Sequence, residues 1–111
     1  MAVIGKTYEE RRYYPLPSKP VYDAVVAVAR NNRNRIRSAT EELLVVEIFT
    51  PTTLFSWGQN VWVAITPDGA GSRVLMWFQG RVRPSGVQKL SYRRAANKLW
   101  TLLERELGSP V

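Results

Sequence analysis

Apolar and polar residues alternate with a changing period along the chain, and that change marks out seven elements. Residues 8–14 read as a first strand rich in aromatic and charged residues, and Pro15-Leu16-Pro17 forces an extended exit from it. Ser18 then caps a helix with Pro20 in its first turn, and Tyr22, Val25, Val26 and Ala29 follow the spacing of a buried helical stripe up to Asn31-Asn32. The stripe is rich in β-branched residues, so packing rather than propensity must hold this helix. Strands are expected over 35–40 and 43–50, joined by a short turn at Glu41-Glu42, and Pro51 ends the second. Ile36, Leu44, Val46 and Ile48 face one side.

The next strand, 59–66, sets Val61, Val63 and Ile65 against Trp62 and Ala64. After the turn at Pro67-Asp68-Gly69-Ala70-Gly71, the strand 72–83 separates Val74, Met76, Phe78, Gly80 and Val82 from Arg73, Leu75, Trp77, Gln79, Arg81 and Arg83. Pro84-Ser85-Gly86 breaks it, and a long amphipathic helix over 88–107 carries Ala95, Ala96, Leu99, Leu102, Leu103 and Leu107 as its stripe, with Gly108 and Pro110 as stop signals. The order is β-α-β-β-β-β-α. Short connections among the last four strands demand hairpins, so the expected fold is a single α+β domain over 1–111. Its one antiparallel sheet has the order 1-5-4-3-2, with both helices on one face.

Composition narrows the chemistry. At 111 residues the chain can bury a conventional core, and it contains no His and no Cys. The commonest general base, the commonest nucleophilic thiol and the usual ligands of zinc, haem and iron–sulfur centres are therefore missing. No cofactor, metal or catalytic residue is expected, and the protein is read as a non-enzyme. The lack of Cys and of a signal-like apolar run near the N-terminus fits a cytoplasmic protein, and no stretch reaches the length of a membrane span. A net charge of +7 favours anionic partners.

The element order is similar to the TATA-binding-protein-like fold and to a pared-down Bet v 1/START-like helix-grip domain. Ser56-Trp57-Gly58-Gln59-Asn60-Val61, followed by the Pro67-Asp68-Gly69 turn with Gly71-Ser72 and a closing helix, resembles small uncharacterised bacterial proteins with S-W-G at the start of a strand. That resemblance spans about 21–107 and implies no particular activity. The larger helix-grip proteins bind apolar ligands between the long helix and the sheet, which implies the same place as an alternative function here, although this chain lacks the extra strands and short helices that open their cavity. Trp57-Gly58 is read as structural.

If both helices cover one face of the sheet, the other carries Val45, Phe49, Trp62, Leu75 and Trp77 with Glu47, Arg73, Gln79 and Arg81 among them. Such a face is too apolar for solvent alone and predicts a homo-oligomer interface, with a bulge that shifts the strand phase, coverage by the N-terminal arm or a partner platform as alternatives. Rings beside arginines also suit nucleic-acid bases and phosphates. Arg30, Arg33, Arg35 and Arg37 gather at one corner of the sheet, and Arg81, Arg83, Lys89, Arg93 and Arg94 at another roughly 14 Å away. Arg33, Arg35, Arg83 and Arg93 are the anion-binding candidates. Glu41, Glu42, Asp68, Glu104 and Glu106 collect at the opposite end, Glu104 and Glu106 on the solvent side of the helix. Asp23 is placed in a first helical turn, and Glu47 is expected to pair with an arginine across the strands.

Overall fold

The computed structural model describes residues 8–31, 35–50, 59–79 and 86–108; side chains at 31, 35, 37, 50, 59, 79 and 86–91 lie outside that description. The elements are β1 (Tyr8–Tyr14), α1 (Ser18–Asn31), β2 (Arg35–Thr40), β3 (Val45–Thr50), β4 (Gln59–Asp68), β5 (Gly71–Gln79) and α2 (Gly86–Glu106). They form one five-stranded sheet in the order β1-β5-β4-β3-β2, antiparallel throughout. This is the architecture expected from the pattern. Both helices pack on the face carrying Val46, Ile48, Val61, Val63, Ile65, Val74, Met76 and Phe78, each at most 3% exposed. From α1, Val21, Tyr22, Val25, Val28 and Ala29 enter this core; from α2, Tyr92, Ala96, Leu99, Trp100 and Leu103 do.

Several placements differ from the sequence reading, among them three with local reasons. Leu43 and Leu44 belong to the turn rather than to β3, because their amides bond back to the carbonyls of Thr40 and Glu41 at 3.2 Å each. Leu44 takes φ +55°, and its own carbonyl accepts from Ile65 N–H at 2.9 Å, so a cross-strand bond holds a conformation that leucine seldom adopts. Ser18 lies in the first turn of α1, and its hydroxyl is 2.9 Å from that of the fully buried Ser72, which donates to Leu16 O at 2.6 Å. The expected cap thus ties the β1–α1 connection to β5. Asp23 falls in the second turn of α1, beyond the stretch where a helix dipole acts most strongly; it accepts from Lys19 at 2.6 Å.

The β4–β5 hairpin closes over two residues between the paired Asp68 and Gly71. Gly69 supplies the left-handed first position at φ +62°, as a primed turn requires. Gly71 has a different reason. A methyl group there would collide with the Tyr13 ring and the Tyr14 carbonyl of β1. Segments 51–58 and 80–85, with Trp57, Gly58, Arg81 and Arg83, lie outside the described residues, as do Arg33 and the termini 1–7 and 109–111.

Candidate functional site

Alternation along β3, β4 and β5 turns every second side chain away from the helices, and the register decides which of them meet. Glu47, Trp62, Trp77 and Glu9 stand opposite one another in a row across β3, β4, β5 and β1. The two indoles stack with centroids 5.9 Å apart and planes 5° from parallel. The adjacent row is Val45, Ala64, Leu75 and Arg11, and on the other side Phe49 faces Asn60. All five predicted interface residues, Val45, Phe49, Trp62, Leu75 and Trp77, therefore share one face and adjoin, each half-buried. Strand phase puts them on one face, and the register sets them side by side.

The charges around this patch are ordered. Arg11 is exposed and lies 3.8 Å from Glu9, its neighbour two residues away on the same face of β1. Glu47 accepts from Ser38 Oγ at 3.4 Å, where an arginine was expected across the strands; among the described contacts none takes that place. Arg73 pairs with Asp68 at 2.9 Å at the hairpin end of the face.

A second polar assembly escaped the sequence reading. The inward positions of β1 are Tyr8, Glu10, Arg12 and Tyr14, and α2 lays Trp100 and Glu104 against them. Trp100 Nε1 donates to Glu10 Oε1 at 2.7 Å, and Tyr8 donates to the other oxygen of the same carboxylate. Arg12 and Tyr14 both donate to Glu104 Oε2, at 2.6 and 2.8 Å, while the Arg12 guanidinium lies 5.0 Å from the Trp100 ring centre. Glu104 is therefore not a solvent-side residue but the outer clasp of β1 on α2. Burial, then the bond to Glu10 and its charge, push the Tyr8 hydroxyl up to about 12. The same causes, with Glu104 in place of Glu10, raise Tyr14 further. Two signals marked this seam: the tyrosines at 8 and 14, which period two places on one face of β1 with Glu10 and Arg12, and the i,i+4 spacing of Trp100 and Glu104.

Between the described side chains of α2, from Tyr92 onward, and the sheet the packing is close. Tyr92 stacks on Tyr8 and packs 5.6 Å from Phe78, and Trp100, Met76 and Leu103 complete a layer almost without exposure. An open groove of about 920 Å³ lies elsewhere, between α1 and the edge strand β2, with Val26, Ile36 and Ala39 on its floor and Arg30 and Glu41 among its walls. Of the anion-binding candidates, Arg93 is an exposed residue of α2 and Arg35 opens β2 opposite Phe49; Arg33 and Arg83 lie outside the described residues. Among the described residues, no group of three or more His, Cys, Asp or Glu side chains is placed to hold a metal ion, and no helix is long and apolar enough to cross a membrane.

No family pattern matches the chain, and no curated protein is similar to it in sequence. Solved structures are similar in fold. Ara h 8.0201, a Bet v 1-like allergen, aligns over 93% of this chain and 97% of its own with a TM-score of 0.64 and 10% identity. CalU16 from Micromonospora echinospora aligns over 92% of this chain and 75% of its own, with a TM-score of 0.66 and 14% identity. The fold is of the helix-grip kind. TTHA0849 from Thermus thermophilus shares it over 92% of this chain and 98% of its own, at a TM-score of 0.53 and 16% identity. At such identities the likeness concerns the helix-grip fold and carries no ligand or activity with it.

Proposed function

We propose that the protein is a non-catalytic binding module that associates with a second copy of itself through the outer face of its sheet. The observation that carries this reading is the stacked Trp62–Trp77 pair at the centre of the face opposite both helices, continuous with Val45, Leu75 and Phe49. Contiguous apolar patches on a sheet face mark contact surfaces, a two-fold axis lets one patch serve both subunits, and tryptophan is enriched at the energetic centres of interfaces. Like-charged subunits of +7 repel. At physiological salt that repulsion is screened beyond about 8 Å, whereas apolar burial is not.

The non-catalytic part of the reading rests on the donor set. With no His or Cys in the chain, catalysis falls to carboxylates, Lys, Tyr or Ser, and the carboxylates and tyrosines with described partners serve ion pairs or the β1–α2 clasp. The close-packed layer under the described side chains of α2 favours a surface over an enclosed ligand cavity.

Sedimentation velocity at micromolar concentration tests the proposal on wild type beside Trp62→Arg/Trp77→Arg. The expected result is a dimeric wild type and a monomeric variant with an unchanged circular dichroism spectrum. A wild type that sediments as a monomer sinks the reading.

A further inference from the structure

The outer face is chemically lopsided, and that lopsidedness selects one way for two copies to meet. Along one row the order is Glu47, Trp62, Trp77, Glu9, with an acid at each end and the two largest side chains in the middle. Along the next row, about 7 Å away, the order is Val45, Ala64, Leu75, Arg11, with the smallest side chain of the patch beside Trp62 and a cation beside Glu9. Face-to-face sheets keep their strands within about 30° of parallel or antiparallel, so a two-fold axis lying between two such sheets runs either along the strands or across them.

An axis along the strands between β4 and β5 lays Glu9 over the partner's Glu47 on both flanks. It also sets indoles against indoles, lays Leu75 over the partner's Ala64 and Arg11 over the partner's Val45, and so gives no acid a cation. Acid on acid in a closing interface costs association several kcal/mol. An axis across the strands, between the two rows, exchanges the rows instead. Trp62 then lies over the partner's Ala64, Trp77 over the partner's Leu75, and Arg11 over the partner's Glu9. Bulk meets a notch, and unlike charges meet at the β1 edge.

Resting on the self-association reading, we propose that the dimer axis crosses the strands between the Trp62–Trp77 row and the Ala64–Leu75 row. Trp62 is then the knob, Ala64 the hole, and Arg11 with Glu9 a reciprocal charge lock. The 3.8 Å approach of Arg11 to Glu9 within one chain becomes half of a four-membered alternating cluster in the dimer. Both charges sit on long side chains, which span the offset that sheet twist introduces away from the axis. The lock therefore sets register and orientation, while the indoles supply most of the buried surface.

The experiment is sedimentation velocity of the full chain at micromolar concentration and physiological salt, with thermal melts to confirm folding. The variants are Arg11→Glu, Glu9→Arg, the double exchange Arg11→Glu/Glu9→Arg, Ala64→Trp and Trp62→Arg. Each single charge reversal is expected to weaken the dimer about tenfold or more, because it gathers four like charges at the edge, and the double exchange to recover to within about threefold of wild type. Ala64→Trp is expected to give monomer, since it fills the hole that the knob needs. Charge reversals and Ala64→Trp that dimerise like wild type, while Trp62→Arg does not, overturn the proposed axis and leave the outer-face dimer standing. A monomeric wild type overturns both.

Discussion

The two faces of strands β3, β4 and β5 are built from neighbouring residues of the same segments, yet they solve different problems. On the inner face Val61, Val63, Val74, Met76 and Phe78 meet two helices and lose nearly all contact with solvent. On the outer face Trp62, Leu75 and Trp77, each one step along, stay half-buried and rely on cross-strand neighbours. Hydrophobicity does not separate the two sets, because tryptophan is as apolar as anything inside. Depth of cover does: the inner face lies beneath two helices of its own chain, and the proposed function lays a second copy over the half-buried outer one.

The sharpest way to break this comparison is to truncate adjacent residues of β5. Phe78→Ala should cost about 3–5 kcal/mol in urea unfolding, because it leaves a cavity beneath Tyr8 and Tyr92, which pack on that ring. Trp77→Ala, one residue away, should cost only about 1–2 kcal/mol at concentrations too low for association, since solvent replaces part of what it loses. Equal costs would mean that the outer face is as enclosed as the inner one.

The inner side also contains the polar seam between β1 and α2, where a smaller effect is expected. Trp100→Phe keeps most of the ring but removes the donor to Glu10, so about 1–3 kcal/mol should be lost, and circular dichroism melts will read it. Tyr8→Phe/Tyr14→Phe sharpens the same point through pH. Both hydroxyls are held protonated above their ordinary value of 10.0, so the folded state binds more protons than the unfolded one once pH passes that value. Their contribution is complete below pH 10 and is lost as pH rises through about 12, the value for Tyr8. Wild-type melting temperature should fall across that window, and the double variant should fall less steeply; parallel curves would assign the alkaline loss to other groups. The smallest effect belongs to Lys19, which bridges Asp23 and Glu41 at 2.6 Å each on the open surface. Lys19→Ala should leave the unfolding midpoint within experimental error, because exposed ion pairs gain little over solvation.

Period-two patterns in 59–66 and 72–79 were legible because a sheet with one covered face repeats its environment every second residue. The run β5-β4-β3-β2 followed from the short connections, and β1 beside β5 from the least contorted path through α1. Leu43 and Leu44 misled because an apolar pair reads as strand until its backbone bonds are known. Trp100 is not legible in the aliphatic stripe of α2, because the partner of its indole N–H is a carboxylate 90 positions earlier in the chain. Glu104 was sent to solvent by the same logic, although Arg12 and Tyr14 wait for it on β1.

By itself, then, the sequence determined what repeats locally: the seven elements, the phase of each strand and the grouping of Val45, Phe49, Trp62, Leu75 and Trp77 on one face. Only the tertiary structure decided which residues from distant segments meet. Stacking of Trp62 on Trp77, the notch at Ala64 beside an acid-ended row, and the clasp of β1 by α2 all depend on register and helix placement. The physical reason is one of range. Alternation is a property of consecutive dihedral angles, whereas a contact between positions 10 and 100 exists only after the intervening chain has packed.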